Sequence, residues 1–220
     1  MTQMNELVKF DKKNKTKKYL IGTDEVGRGP GAGPVYAAAV CFIKEPKGML
    51  LEINDSKKIP EAKREQLAEL IKKNAIYSIK SSSVTTINNT NVLKASLRAM
   101  KLACNDVVKQ LGSEDVNVIV DGNQYIQDFK YEQETVKQGD TKSISIAAAS
   151  IIAKVERDKL MRKLSKSYPQ YLWTQNKGYL TLAHIAAIEK YGLTVHHRDG
   201  FVRKIVARMQ AKAESSDKNL

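Results

Sequence analysis

The longest apolar run in the chain, Val35–Ile43, covers nine residues. It is far shorter than the ~20 apolar residues that a membrane-spanning helix needs. A continuous apolar run of this length, directly after a stretch rich in Gly and Pro, is typical of a strand that is buried on both faces. We therefore predict a strand over Pro34–Ile43 with both faces covered.

The rest of the chain alternates between strand and helix patterns, which predicts a mixed α/β fold. The other predicted strands are Tyr19–Thr23, Ala75–Thr85, Val116–Val120 and Tyr131–Lys137. Helices are predicted from Pro60, at Leu93–Leu111, Ile144–Leu164 and Thr181–Lys190, and, with a basic surface, at Arg198–Met209.

The chain has no repeat and no internal break in composition, so we expect one domain over residues 19–210. Residues 1–18 are predicted to be a flexible basic arm, because residues 9–18 hold six lysines and one Asp without a hydrophobic period. Residues 211–220 are predicted to be a polar tail.

Charge gives the first indication of a partner. Over 220 residues, Lys and Arg number 37 and Asp and Glu 24, a net charge of +13. Such an excess in a folded protein points to a polyanion, most often a nucleic acid. Solubility is the simpler explanation, and charge alone does not separate the two.

The cellular compartment is suggested by the cysteines and the N-terminus. Cys41 and Cys104 stand 63 residues apart without a CxxC spacing, which excludes a zinc ribbon and a disulfide framework. The first residues lack the apolar segment of a signal peptide. We expect a cytoplasmic protein without a membrane partner.

Four acidic residues stand out because they follow predicted apolar strands: Asp24, Glu25, Asp121 and Asp140. Taken singly, each is explained as a helix cap or a turn residue. Gathered in a basic protein, four carboxylates would repel one another unless a cation lay between them. Oxygen ligands favour Mg²⁺ or Mn²⁺, and this combination predicts two-metal phosphodiester hydrolysis.

The segment Gly22–Pro34 is too rich in glycine to be explained by packing alone, and its glycines allow a ligand to approach the backbone. It lacks the Lys of a phosphate-binding P-loop. Here the sequence resembles the bacterial type 2 ribonuclease H family (ribonuclease HII). The resemblance rests on DEVGRGPGAGPV from Asp24, NDSKKI from Asn54, VDGN, GDTKSISIAAASIIAKVERD from Gly139 and NKGYLT from Asn176.

The resemblance implies a ribonuclease H-like mixed β-sheet flanked by helices, with a C-terminal helical part. It also implies an endonuclease that uses two divalent ions, Mg²⁺ or Mn²⁺. Such an enzyme hydrolyses the RNA strand of RNA–DNA hybrids and nicks 5′ of ribonucleotides embedded in duplex DNA, leaving 3′-hydroxyl and 5′-phosphate ends. We expect it to act as a monomer.

Residue roles follow from the same resemblance. The four acids match the family's catalytic, metal-binding carboxylates. Gly27, Arg28 and Gly29 match the loop that reads the ribose 2′-hydroxyl, and Tyr179 matches the tyrosine that stacks on the following deoxyribose. Lys57 and Lys142 are expected near phosphates. Lys177 and Arg198 are weaker phosphate candidates, for which a solvated surface role is nearly as plausible.

The sequence departs from the family pattern at Gly31, where a bulky residue is usual, and at Asn176 and Leu180 beside Tyr179. Adjacent strand residues also point to opposite faces, so we expect the first strand to end or bulge at Asp24–Glu25 if both are ligands. Two other functions stay open. They are a non-catalytic protein that binds RNA–DNA hybrids and another nuclease of the ribonuclease H-like superfamily.

Overall fold

The computed structural model describes residues 5–56 and 58–217, with side chains as far as residue 211. Its strands are β1 (Tyr19–Val26), β2 (Val35–Cys41), β3 (Ile76–Ser82), β4 (Val116–Asp121) and β5 (Glu132–Val136). Its helices are α1 (Glu6–Asn14), α2 (Glu61–Asn74), α3 (Val84–Asn89), α4 (Val92–Leu111), α5 (Ile144–Ser167), α6 (Trp173–Asn176), α7 (Leu182–Tyr191) and α8 (Asp199–Asp217). In this described part, no helix is long and apolar enough to cross a lipid bilayer.

The strands form one mixed sheet in the order β3-β2-β1-β4-β5. β2 runs antiparallel to both β1 and β3, whereas β4 is parallel to both β1 and β5. Because β1, β4 and β5 run in the same direction, their carboxyl ends meet at one edge of the sheet. Ligands and catalytic groups of α/β proteins gather at such an edge.

The strand β2, which lies between β3 and β1, is buried on both faces, and this confirms the prediction from its apolar run. Ala37 and Ala39 pack with α4 on one face of the sheet, and Ala38 and Val40 pack with α2 and α5 on the other. The alternation follows from the two-residue period of a strand. Methyl-sized side chains in the middle of the sheet let the helices approach closely.

Helix α5 lies directly against β1. A Cβ atom on Gly22 would overlap the backbone of Ser145 and Ile146, so only glycine permits this approach. The small residues Ala147–Ala149 are all fully buried at the same interface. The close contact fixes the position of α5 relative to the carboxyl end of β1.

The last three helices form a second cluster with the end of α5, and this confirms the predicted C-terminal helical part. Its centre is Trp173, which is fully buried together with Ile188 and packs near Val202. Ala32, from the glycine-rich loop before β2, belongs to the same cluster. The loop therefore lies between the sheet and the C-terminal helices.

Most predicted elements are confirmed, with shifted ends. The prediction of a strand as far as Thr85 is wrong at its end, because the Ser83 hydroxyl accepts a hydrogen bond from the Thr86 N–H and begins α3. The first strand is longer than predicted and continues to Val26.

The prediction that residues 1–18 form a flexible arm is wrong for the part that the structure describes. Glu6–Asn14 form α1, in which Val8 is 3% exposed and Asp11 is 9% exposed. The Asp11 carboxylate accepts hydrogen bonds from the N–H and the hydroxyl of Ser145. Leu7 and Phe10 also pack against the core, so α1 has a short apolar face, which the surrounding lysines conceal in the sequence.

Candidate active site at the carboxyl edge of the sheet

The four predicted acids line a single open cleft at the carboxyl edge of the sheet. Asp24 and Glu25 come from β1, and Asp121 is the last residue of β4. Asp140 lies in the 3-10 turn that follows β5, and the Asp121 carboxylate accepts a hydrogen bond from the Gly139 N–H of that turn at 2.6 Å. The sheet topology thus brings together acids that are far apart in the sequence.

The expectation that β1 ends or bulges at Asp24–Glu25 is wrong. The strand pairs with β2 without interruption, from Gly22 with Val40 to Val26 with Tyr36. Asp24 and Glu25 therefore start from opposite faces, and the unbroken strand weakens the case for Glu25 as a metal ligand.

Glu25 nevertheless lines the cleft. Pairing of β1 with β4 stops at Thr23, so Glu25 stands at the free end of the sheet. Its side chain reaches the Arg28 guanidinium, with 3.2 Å between Nη1 and Oε1.

Burial and mutual repulsion make the negative charges in the cleft costly. The pKa of Asp24 is raised well above its ordinary value, first by burial and then by Glu25, Asp121 and Asp140. Burial also raises the pKa of Glu25, against the opposing effect of Arg28. A cation between these groups would remove both penalties. Within the described residues, however, no group of three or more Asp, Glu, His or Cys side chains is already arranged to hold an ion.

A buried ion-pair network forms the opposite wall of the cleft. Asp158 accepts a hydrogen bond from the Lys154 ammonium at 2.7 Å and lies 3.8 Å from a nitrogen of Arg64. Burial lowers the pKa of Lys154, although Asp158 opposes this effect. Sequence reasoning assigned no role to these residues. Ser150, Lys154 and Asp158 follow one another at steps of four, a spacing that places them on one face of a helix and that could have found them.

Two buried arginines fix the glycine-rich loop. Arg157, 1% exposed, donates to the carbonyl oxygens of Ala32, Pro34 and Lys177. Arg198, fully buried, donates to those of Gly27, Arg28 and Gly33.

The assignment of Arg198 as a phosphate candidate is therefore wrong, because its guanidinium is enclosed by backbone. Burial and the neighbouring Arg157 lower its pKa to about 9, so the group stays charged at neutral pH.

Gly27 has the backbone geometry that this arrangement requires. Its φ of 98° lies in the region that favours glycine, and a Cβ atom there would overlap the Arg157 guanidinium. Gly29 lies next to the Tyr179 ring, since a Cβ atom on it would be 3.2 Å from Cε1 of that ring. The loop and the tyrosine, which are far apart in the sequence, thus meet at the mouth of the cleft.

Tyr179 is 51% exposed and has a fixed backbone. Its carbonyl oxygen accepts a hydrogen bond from Nδ1 of His184, 2.9 Å away. Nε2 of His184 then accepts hydrogen bonds from the Trp173 indole N–H and from Nε2 of His197. The other ring nitrogen of His197, Nδ1, accepts a hydrogen bond from the Thr194 N–H. Both histidines are buried and serve in packing.

The predicted lysines are less well placed. Lys177 lines the cleft and has its ammonium 4.0 Å from Glu61. Lys142 is exposed and lines a separate groove beside α1 rather than the cleft. Lys57 lies outside the described residues.

Solved structures with a similar fold define the class of protein. The ribonuclease H2 of Pyrococcus horikoshii has a TM-score of 0.71 over 87% of this chain and 99% of its own, at 23% identity. A mutant ribonuclease HIII, described as Bst-RNase HIII, has a TM-score of 0.71 over 94% of this chain and 74% of its own, at 18% identity. The fold and the acidic cleft together define a protein with a ribonuclease H-like fold.

Sequence comparison then identifies the family. The family model for ribonuclease HII matches residues 21–207, and the chain belongs to that family. Ribonuclease HII of Caldanaerobacter subterraneus is 49% identical over 86% of this chain and 76% of its own length. Ribonuclease HII of Fusobacterium nucleatum is 46% identical over 90% of this chain and 92% of its own. The chain is thus a ribonuclease H, a hydrolase that acts as an endonuclease on RNA–DNA hybrids.

Proposed function

We propose that this ribonuclease H also cuts duplex DNA on the 5′ side of a single embedded ribonucleotide. The products are a 3′-hydroxyl and a 5′-phosphate. The observation that carries the proposal is the contact of Gly29 with Tyr179 beside the four acids. One cleft then holds a backbone loop suited to a ribose hydroxyl, an exposed ring suited to the next sugar, and acids suited to hydrolysis.

Two divalent ions, Mg²⁺ or Mn²⁺, are proposed to bind Asp24, Glu25, Asp121 and Asp140. The donor set fits, because it consists of oxygen ligands only and its charges are costly without a cation. A solved neighbour, described as Bst-RNase HIII in complex with Mn²⁺, shares the fold at a TM-score of 0.69 and 18% identity. When bound, such ions activate a water molecule and stabilise the leaving oxygen.

The residues of the chain hold the substrate and the site in place. The loop Gly27–Gly29 is proposed to contact the 2′-hydroxyl through its backbone, the only group that distinguishes the two sugars at that position. Arg198 holds this backbone at the carbonyl oxygens of Gly27 and Arg28, and Arg157 holds the following part of the loop at Ala32 and Pro34. Tyr179 is proposed to stack on the deoxyribose that follows. Lys177 stands at the cleft and is proposed to attract a phosphate.

The remaining assignments are also proposals. Lys57 and Lys142 are proposed to contact phosphates, Lys142 from the groove beside α1. We propose one catalytic domain that includes residues 19–210, onto which α1 also packs, and a monomer that acts in the cytoplasm. Two buried free thiols, Cys41 and Cys104, are consistent with a reducing compartment.

The test is a DNA duplex that contains one ribonucleotide, incubated with the protein and Mg²⁺. We expect a single nick 5′ of the ribonucleotide and an end that a DNA polymerase extends. An all-DNA duplex of the same sequence must stay intact. The proposal is overturned if the duplex with the ribonucleotide is not cut, or if both duplexes are cut equally.

Tyr179→Ala sharpens the same assay, with Tyr179→Phe as its matched control. Loss of a stacking ring costs about 1–3 kcal/mol, which corresponds to roughly 5-fold to 160-fold in substrate affinity. We expect the affinity of Tyr179→Ala for the RNA–DNA junction to fall by that factor. Tyr179→Phe should keep most of the wild-type affinity. An unchanged junction preference in Tyr179→Ala would refute the stacking role.

A further inference from the structure

A basic groove lies beside the turn that carries Asp140, outside the cleft. It is lined by Lys9 and Lys13 of α1 and by Lys142, which follows Asp140 by two residues. Its other lining residues are Glu6, Leu7, Phe10 and Thr141. We call Lys9, Lys13 and Lys142 the α1 surface.

Helix α1 holds its two lysines in fixed positions. At its start, the Asn5 side chain accepts from the Leu7 N–H and donates to the Leu51 carbonyl oxygen. In the middle, Asp11 is bound to Ser145, and at the end the Asn117 side chain donates to the Asn14 carbonyl oxygen. The helix is thus attached to the domain at three points, so its lysines form part of a defined surface.

Opposite sides of α1 carry different lysines. Lys9 and Lys13, four residues apart, share the groove. Lys12 and Lys15 line a different cavity, where Lys12 forms an ion pair with Glu45 at 2.8 Å.

The charge in the groove is unbalanced. Glu6 is its single acid, and it pairs with Lys9 at 2.6 Å. Neither Lys13 nor Lys142 has a carboxylate oxygen of the described residues within ion-pairing distance. A row of fixed, exposed ammonium groups next to an acidic cleft is complementary to a phosphate backbone.

We propose that the α1 surface binds the backbone phosphates of duplex nucleic acid that extends from the cleft past Asp140. One turn of duplex is ~34 Å long, so a bound substrate continues over the neighbouring surface. This inference rests on the proposed function, because that function places the duplex in the cleft. According to this proposal, α1 binds several phosphates at defined positions and does not merely attract the duplex through its net charge.

The test compares two double variants of equal charge, Lys9→Gln/Lys13→Gln and Lys12→Gln/Lys15→Gln. The affinity of each for a long all-DNA duplex is measured by fluorescence anisotropy in EDTA, over a range of salt concentrations. Each lost phosphate contact lowers the slope of log K against log salt by about 0.9. We expect the slope to fall by roughly 2 for Lys9→Gln/Lys13→Gln and to stay near that of the wild type for the control pair.

Equal slopes for the two double variants would overturn the proposal, because the effect would then come from net charge alone. A wild-type slope for Lys9→Gln/Lys13→Gln would also overturn it and would leave an acidic protein as the remaining kind of partner for the groove. Far-ultraviolet circular dichroism checks that both variants keep their helices.

The binding measurement uses neither cleavage nor metal, so it keeps its meaning if the duplex with a ribonucleotide is not nicked. In the cleavage assay, the Lys9→Gln/Lys13→Gln variant should raise KM and leave kcat unchanged. A fall in kcat at saturating substrate would place these lysines in the chemistry and contradict a pure binding surface.

Discussion

Two neighbouring regions bury charge in opposite ways. In the cleft, buried Asp24 lies among Glu25, Asp121 and Asp140, and its pKa is raised. Below the glycine-rich loop, Arg157 and Arg198 are buried just as deeply, but backbone carbonyl oxygens surround them.

This difference distinguishes the arginines, whose charges support the structure, from the acids, whose charges serve the function. Each guanidinium has hydrogen bonds from within the chain that offset the loss of water, so it stabilises the loop. The acids have some hydrogen bonds of their own, such as that from the Gly139 N–H to Asp121, but burial and mutual repulsion still raise the pKa of Asp24 and Glu25. A bound cation would relieve both effects. Neutralising a single acid should therefore abolish chemistry and spare the fold, whereas removing an arginine should disturb the fold first.

The largest expected effect is that of Asp121→Asn. The amide keeps an oxygen that accepts the Gly139 N–H, but it removes a negative charge from the cleft. We expect cleavage of a ribonucleotide-containing duplex to fall by at least ~10²–10³-fold while duplex affinity stays the same. Single-turnover cleavage and anisotropy binding measure the two quantities. Loss of binding together with cleavage would instead assign Asp121 to the structure.

The next effect is that of Arg198→Ala on stability. The variant leaves three loop carbonyl oxygens without their donor, and unsatisfied buried polar groups cost about 1–3 kcal/mol each. We expect the free energy of unfolding in urea to fall by about 3 kcal/mol or more.

Arg208→Ala is the matched control, because Arg208 is exposed and pairs with Glu189 at the surface. Removal of a surface ion pair should cost at most ~1 kcal/mol. If the two variants unfold at the same urea concentration, the hydrogen bonds to the loop do not stabilise the protein.

The smallest effect concerns acid stability and the buried pair His184 and His197. Burial, aided by His184, lowers the pKa of His197 from 6.5 to about 4. Between these pH values the unfolded chain binds a proton that the folded chain does not. The contribution of His197 to stability is therefore present above pH 6.5 and is lost as the pH falls toward about 4.

Urea unfolding at several pH values in this window measures that loss. His197→Asn, which cannot titrate there, should show a shallower fall in stability with decreasing pH than the wild type. Parallel curves for the two proteins would mean that His197 contributes nothing to acid sensitivity.

Much of the fold and of the site could be predicted from local patterns. The buried strand β2 follows from its apolar run, and the position of Asp121 at the end of β4 follows from the apolar segment before it. The bracing by Arg157 and Arg198 could not be predicted, since their partners are carbonyl oxygens and such contacts leave no side-chain pattern. Helix α1 escaped prediction for a different reason, since the lysines of residues 9–18 conceal its short apolar face of Leu7, Val8 and Phe10.

The contact between Arg198 and the loop also has a consequence for protein synthesis. The loop carbonyl oxygens of Gly27 and Arg28 are made early, and the guanidinium that binds them is made some 170 residues later. A chain still growing on the ribosome can form strands and helices, but its loop stays unbraced until Arg198 has emerged. The cleft beside the loop should therefore take its final form only after Arg198 has joined the fold.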